Sequence, residues 1–231
     1  FEISGDQSIT VSSSIQGIQV KERPTYYQNI KVTSSTPFQI NDQTIYGDLS
    51  IGFHPERRTF FLVSIIPLET YLLGVVGHEM SAEWEMEALK AQAVASRTYA
   101  MYSKLEAADK HYDVYPSIFD HVYKGYLPVH PNVKKAVEET KGMILVYKRK
   151  PIRAYFHSCC GGHTESATNV WGDVSQPYLP STESSYCTSC SNTPWEYRIF
   201  SEEFYEKIRK EDLDETEKRL YKTPSITSSF F

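Results

Sequence analysis

Apolar and polar positions alternate along much of the first 66 residues. Residues 8–11, 15–20 and 44–51 alternate, and 59–66 do so in part, which is the period of a strand with one buried face. Asn41-Asp42 and Pro55-Glu56 stand between them as turn signals. The stretch predicts a small antiparallel β unit. Pro67 ends the pattern. Leu72, Val75 and Val76 then fall at helical spacing over 68–76, with Pro67 suited to the first turn. Gly77-His78-Glu79-Met80-Ser81 reads as a connection. A second helix is expected over 82–104, with Ser81 as its N-cap and Glu83 and Glu85 in its first turn. Ala88, Ala91, Ala95 and Thr98 share one face of it, a stripe small enough for another element to approach closely.

Residues 105–130 carry no period and many aromatics. A short helix is expected over 131–140, opened by Pro131 and ended by Gly142. Residues 143–147 and 152–157 read as two strands of a hairpin turning at 148–150. Residues 158–195 look like loop, and the chain after Ser201 reads as a charged helix whose last stretch, 223–231, has little pattern. No internal repeat is visible.

Composition narrows the picture. The chain has 231 residues, 40% hydrophobic and 23% charged, a globular balance for one large or two small domains. Its formal net charge is −5. A general phosphate-backbone binder would show a basic excess, so nucleic acid is not an expected partner. The longest apolar run, residues 60–68, falls well short of the roughly 20 residues that span a bilayer. The chain opens at Phe1 instead of a methionine, which fits a fragment or a processed form whose signal peptide or membrane anchor lies outside it.

Three groups of residues are candidates for chemistry. Glu79 sits among Val75, Val76 and Met80. A carboxyl desolvated by such neighbours can carry the proton that a general acid delivers to a glycosidic oxygen, although a surface glutamate would read the same way. Lys90, Gln92, Arg97 and Tyr99 lie inside the alanine-rich helix. Lys90 and Arg97 share one face, Gln92 and Tyr99 nearly the opposite one, and an ordinary amphipathic helix would also account for them. The third group is His157-Ser158-Cys159-Cys160-Gly161-Gly162-His163-Thr164-Glu165. Its two glycines permit close backbone approach to a ligand. Neighbouring His157 and Ser158 would point to opposite faces of a strand, and there is no Gly-x-Ser-x-Gly, so serine-hydrolase chemistry is disfavoured. A cysteine-dependent hydrolase at Cys159 or Cys160 has no local signature.

Cys187-x-x-Cys190 is half of a zinc pattern. Cys159, Cys160, His157 or His163 would have to supply the other half. A structural zinc on Cys159, Cys160, His163, Cys187 and Cys190, a pairing into disulfides, and reduced thiols all remain open. No H-E-x-x-H is present, so a catalytic zinc is not expected. Of the many aromatics, Tyr112, Tyr115, Tyr123 and Tyr126 stand out because they fall in an irregular segment where a ring can stack on a sugar.

Residues 67–80 (Pro-Leu-Glu-Thr-Tyr-Leu-Leu-Gly-Val-Val-Gly-His-Glu-Met) and 87–100 (Glu-Ala-Leu-Lys-Ala-Gln-Ala-Val-Ala-Ser-Arg-Thr-Tyr-Ala) resemble the opening signature of the SpoIID family, stage II sporulation protein D and the amidase enhancers. Ala154-Tyr155-Phe156-His157-Ser158, Gly161-Gly162-His163-Thr164-Glu165-Ser166, Asn169-Val170-Trp171-Gly172 and Pro177-Tyr178-Leu179 resemble its second signature. Ile45-Tyr46-Gly47-Asp48-Leu49 is similar to its N-terminal strand motif. The resemblance runs in order from about residue 40 to about residue 200.

What it implies is a lytic transglycosylase of bacterial peptidoglycan. Such an enzyme cuts the β-1,4 bond from N-acetylmuramic acid to N-acetylglucosamine and leaves 1,6-anhydro ends, with a preference for strands stripped of stem peptides. Glu79 matches the catalytic acid. Lys90, Gln92, Arg97, Tyr99, His157, Ser158, Gly161, Gly162, Thr164, Glu165 and Trp171 would contact the glycan, with Arg97 and Lys90 orienting a muramoyl carboxylate or fixing Glu79. The implied class is α+β. It has a β-rich subdomain over 1–66, a catalytic core over 67–210 whose central helix packs on a sheet, and a tail over 211–231. The cleft would lie between the start of that helix and the Gly161-Gly162 loop. No cofactor is required for the reaction. Peptidoglycan strands and a cell-wall amidase are the implied partners, and the implied place is outside the cytoplasmic membrane. Two departures stand out: Cys159 and Cys160 where small or polar residues are common, and Ser81 where proline is common.

Overall fold

The computed structural model describes residues 10–186, apart from 22, 35, 41–42, 109, 117–119, 124–128 and 173–175. The class is α+β, with four helices and five small antiparallel sheets among the described residues. The chain divides into two compact units, residues 1–156 and 157–231. The expected C-terminal helix after Ser201, the tail over 211–231, Tyr126, Cys187 and Cys190 lie outside the described residues.

The first unit opens with a hairpin of β1 (Val11–Ser14) and β2 (Gly17–Val20), extended by β3 (Tyr26–Tyr27). A second sheet has the order β4 (Asn29–Val32), β7 (Asp48–His54), β8 (Thr59–Ile65). Between β4 and β7 lies a short hairpin of β5 (Phe38–Ile40) and β6 (Gln43–Ile45). Alternation along β7 turns Leu49 and Ile51 inward, where they meet Ile18 of β2 in a core ringed by Val11, Tyr27, Ile30, Val32, Ile40 and Phe53. The expected continuous strand over 44–51 is broken at Gly47. Its φ of 85° is left-handed, and a Cβ there would run into the Ile65 carbonyl. The most apolar run of the chain forms the edge strand β8, where Phe60, Leu62 and Ile65 remain exposed.

A separate core forms among helices. Helix α1 (Leu68–Glu79) contributes Tyr71, Leu72, Val75 and Val76; α2 (Met86–Glu106) contributes Leu89, Ala93 and Ala100; α3 (Pro131–Glu139) contributes Val133, Ala136 and Val137. The main neighbours of α2 are therefore α1 and α3, not a sheet; of the strands, the short one at Lys150–Pro151 flanks it. Three expectations change here. Helix α1 runs through Gly77 and His78 to include Glu79, because Val75 and Val76 are fully buried and His78 Nδ1 is hydrogen-bonded to the Gly74 carbonyl at 2.6 Å in the last turn. Helix α2 starts at Met86, because Ser81 closes a turn with Trp84 instead (N–O 3.1 Å). The buried face of α2 runs through Leu89, Ala93, Ser96 and Ala100, while Ala91 of the expected small-residue stripe is exposed.

Arg97 is 1% exposed and ties this core together. Its Nε and Nη2 donate to both carboxylate oxygens of Glu69 (2.9 and 2.8 Å), and Nη1 donates to the Met143 carbonyl (3.1 Å). Weaker contacts reach the Val137 carbonyl and Thr140 Oγ1. A buried guanidinium is tolerable only with such a bidentate partner and nearly every donor occupied. The first unit ends with a hairpin of β9 (Val146–Tyr147) and β10 (Lys150–Pro151), shorter than the expected strands.

The second unit is small. Strands β11 (His163–Thr164) and β12 (Thr182–Glu183) pair, and α4 (Ala167–Trp171) lies between them in sequence. Its N-cap Ser166 accepts from Asn169 N.

Candidate active site

The site is built where residues 120–123 cross the helical core. Each member of this irregular segment meets a helical side chain, Tyr99, Tyr71 or Glu79. Asp120 Oδ1 accepts from Tyr99 Oη of α2 at 2.6 Å, and Oδ2 accepts from Tyr115 N at 2.8 Å. His121 Nδ1 is hydrogen-bonded to Tyr71 Oη of α1 at 2.8 Å. Val122 N donates to Glu79 Oε1 at 2.7 Å. The ring of Tyr123 packs on that of Tyr71, with centroids 5.3 Å apart. Alternate residues thus face alternate anchors, and the backbone amide between them reaches the last residue of α1.

Glu79 is half-buried, and the Val122 amide is its one hydrogen-bond partner among the described residues. That bond fixes which way the carboxyl faces. A protonated carboxyl accepts with its carbonyl oxygen, so Oε1 takes that role and Oε2 is the oxygen able to carry a proton.

His121 is fully buried, enclosed by the rings of Tyr71, Tyr99 and Phe156. Burial pushes it down to about 4 from 6.5, against a smaller opposing pull from Asp120. It is therefore neutral near pH 7. Burial likewise raises Tyr71, helped by the neighbouring Asp120 carboxylate. Tyr99 is pushed up to about 12 by burial and by its bond to Asp120. All three stay neutral hydrogen-bonding groups around the carboxylates.

A pH dependence follows. Between pH 6.5 and about 4 the unfolded chain protonates this histidine while the folded chain resists. The contribution of His121 is complete above pH 6.5 and is lost as pH falls toward 4, by on the order of 3 kcal/mol. Denaturant unfolding of wild type and His121→Gln across that range checks this: the stability gap between them is expected to shrink on acidification.

The other expected site residues fall into distinct settings. Tyr99 joins the site through Asp120. Gln92 donates to Ser96 Oγ within α2 at 3.0 Å. Arg97 spends its donors on Glu69 and on backbone carbonyls. Lys90 bridges Glu87 and Glu139, both at 2.8 Å, in a surface ion network that raises it to about 12. In this arrangement neither cation touches Glu79.

His157, Ser158, Gly161, Gly162, Thr164, Glu165 and Trp171 belong to the second unit. His157, Ser158 and Trp171 are exposed. Gly161 and Gly162 turn the chain with φ of 65° and 101°. Thr164 Oγ1 accepts from Thr182 N in the β11–β12 pair. Glu165 Oε1 accepts from Ser166 N (2.6 Å) and Asn169 Nδ2 (2.9 Å), which holds its carboxyl below the usual range and fastens the start of α4.

Cys159 and Cys160 are half-buried, and His163 lies in β11 beside Ser181. Among the described residues no group of three or more His, Cys, Asp or Glu side chains is placed to hold a metal. No helix among them is long and apolar enough to cross a membrane.

Sequence reasoning missed Tyr71, Asp120, His121 and Val122. The signal was slight: an Asp-His pair at 120–121, with Tyr123 two residues after the histidine, inside a stretch without period.

Residues 56–147 match the profile of the stage II sporulation protein family, SpoIID. The amidase enhancer of Bacillus subtilis is 44% identical over 108 residues, 47% of this chain and 14% of that protein. Stage II sporulation protein D of Bacillus subtilis is 38% identical over 137 residues, 53% of this chain and 40% of that protein. An uncharacterized protein of Brachyspira hyodysenteriae is 38% identical over 214 residues, 92% of this chain and 57% of that protein. The chain spans less than two thirds of the length of each.

Proposed function

The chain belongs to the SpoIID family through a segment that contains both Glu79 and its Val122 anchor, and from that premise we propose that it acts on the bacterial cell wall as a lytic transglycosylase of peptidoglycan glycan strands. The observation that carries the reading is the half-buried Glu79 carboxyl, oriented by one backbone amide and set beside aromatic groups that remain neutral.

The chemistry needs a single acid. Glu79 Oε2 delivers its proton to the bridging oxygen as the bond from muramoyl C1 breaks. The carboxylate left behind takes the proton of the muramoyl 6-hydroxyl, whose oxygen closes on C1. Atoms balance with no water consumed: one strand ends in a 1,6-anhydro ring, the other in a free 4-hydroxyl. Because the nucleophile is the substrate's own hydroxyl, the second carboxylate of an ordinary glycosidase is unnecessary. Tyr71, Tyr99 and His121 act as positioning residues, holding the 120–123 segment and through it Glu79. Strands stripped of stem peptides are the proposed substrate, and the proposed place is outside the cytoplasmic membrane. No cofactor enters these steps; zinc at the cysteines would be structural.

The name of the Bacillus subtilis relative favours a second reading, an adaptor that binds peptidoglycan and stimulates a separate amidase. Purified strands incubated with the chain alone, and with an added cell-wall amidase, separate the two. A transglycosylase shortens the strands without the amidase. An adaptor leaves strand length unchanged and speeds release of stem peptides.

A further inference from the structure

Residues 141–153 hold five cations, Lys141, Lys148, Arg149, Lys150 and Arg153, and no acid, in a chain whose net charge is −5. The same stretch leaves Met143, Leu145, Val146 and Tyr147 between 39% and 57% exposed. Single exposed hydrophobes are ordinary, but four within five residues, bordered by cations, are not. The base of the element is rigid: Arg97 Nη1 donates to the Met143 carbonyl at 3.1 Å, and Leu145 N donates to Thr98 Oγ1 at 2.9 Å. Both anchors come from α2, so the exposed side chains of residues 145–150 sit on a fixed stem, while Arg153 packs over the Tyr102 and Tyr155 rings.

The turn gives an independent observation. Tyr147 and Lys150 pair directly, leaving Lys148 and Arg149 as a two-residue loop. Both are left-handed, with φ of 49° and 66°. Loops with both φ positive favour Asn-Gly, because a Cβ is disfavoured in that conformation. The sequence instead spends both positions on cations, and Lys148 Nζ lies 5.2 Å from the Tyr147 ring centre. Backbone strain kept at a surface tip marks residues held there for what they contact.

We propose that the β9–β10 hairpin docks on an anionic phospholipid surface, with Lys148, Arg149 and Lys150 against the headgroups and Leu145, Val146 and Tyr147 in the interfacial layer. The pairing of charge with exposed apolar area selects this partner. A soluble polyanion would match the cations and leave the apolar side chains in water, whereas a bilayer interface accommodates both, and tyrosine belongs at that depth. The inference is independent of whether Glu79 cleaves glycan.

Co-sedimentation tests it, with vesicles of phosphatidylglycerol mixed with phosphatidylcholine and vesicles of phosphatidylcholine alone. Wild type is expected to partition onto the first and not the second. Lys148→Asn with Arg149→Gly supplies the preferred turn and removes two cations. It is expected to raise the melting temperature and to weaken partitioning by roughly thirty-fold. Leu145→Thr with Val146→Thr leaves the charges in place and is expected to weaken it as well. Absence of wild-type binding, equal binding to both vesicle types, or full retention by the Asn-Gly variant would overturn the proposal. So would polyphosphate binding that the Thr variant matches together with undiminished vesicle binding, which would assign the patch to a polyanion.

Discussion

Replacing Glu79 by glutamine is expected to slow strand cleavage by roughly a hundred- to ten-thousand-fold, the usual worth of a positioned general acid, while leaving the fold in place. Glutamine keeps an amide oxygen where Oε1 accepts from Val122 N at 2.7 Å, so the anchor of the 120–123 segment survives. Only the transferable proton is lost. Glu79→Ala would remove the acceptor as well and leave that amide unpaired, at a cost of about 1–3 kcal/mol, so it confounds chemistry with stability. Strand length measured over time, together with thermal melts of both variants, reads the two effects separately. Full retention of cleavage by the glutamine variant would remove Glu79 from the reaction.

The largest effect on stability is expected at Glu69. Its side chain is 31% exposed, whereas that of Arg97 is 1% exposed. The two partners are therefore not equivalent. Glu69→Ala strands a guanidinium in the helical core with only neutral carbonyl and hydroxyl partners, and breaking a buried pair in this way costs about 3–5 kcal/mol. Arg97→Leu leaves a carboxylate that water still reaches, and is expected to cost less. The double variant Glu69→Ala with Arg97→Leu is expected to be more stable than Glu69→Ala alone, because no charge is stranded. Urea denaturation of the three variants gives the coupling. Equal losses in both single variants would show that the pair acts through packing alone.

Much of this architecture is legible in the residues, for reasons that differ by element. Period-2 alternation places β7 and β8, and the spacing of Leu72, Val75 and Val76 places α1. These are signals of burial, which the chain carries locally. The end of α1 is not local: Gly77 reads as a break, yet tertiary packing of Val75 and Val76 carries the helix to Glu79. That three-residue error matters, because it decides whether the acid lies on a loop or at a fixed helix end.

Lys90 and Arg97 show the opposite failure. Glu87 lies within helical spacing of Lys90, but the distant carboxylates that claim the two cations, Glu139 and Glu69, lie 49 positions after Lys90 and 28 positions before Arg97, and no spacing rule reaches that far. The segment over 120–123 is illegible for a related reason. Its order comes from Tyr71, Tyr99 and Glu79 holding it in turn, and not from a period of its own. Glu165, read as a glycan contact, fastens α4 through Asn169, four residues on.

The most direct test of the account is the fate of the anomeric carbon. Purified glycan strands are incubated in water enriched in heavy oxygen with wild type and with Glu79→Gln, and the new ends are weighed by mass spectrometry. If the muramoyl 6-hydroxyl is the nucleophile and Glu79 the acid, wild type gives 1,6-anhydro ends without heavy oxygen and the variant gives almost none. Reducing ends carrying heavy oxygen, or unlabelled ends formed as fast by Glu79→Gln, would contradict it.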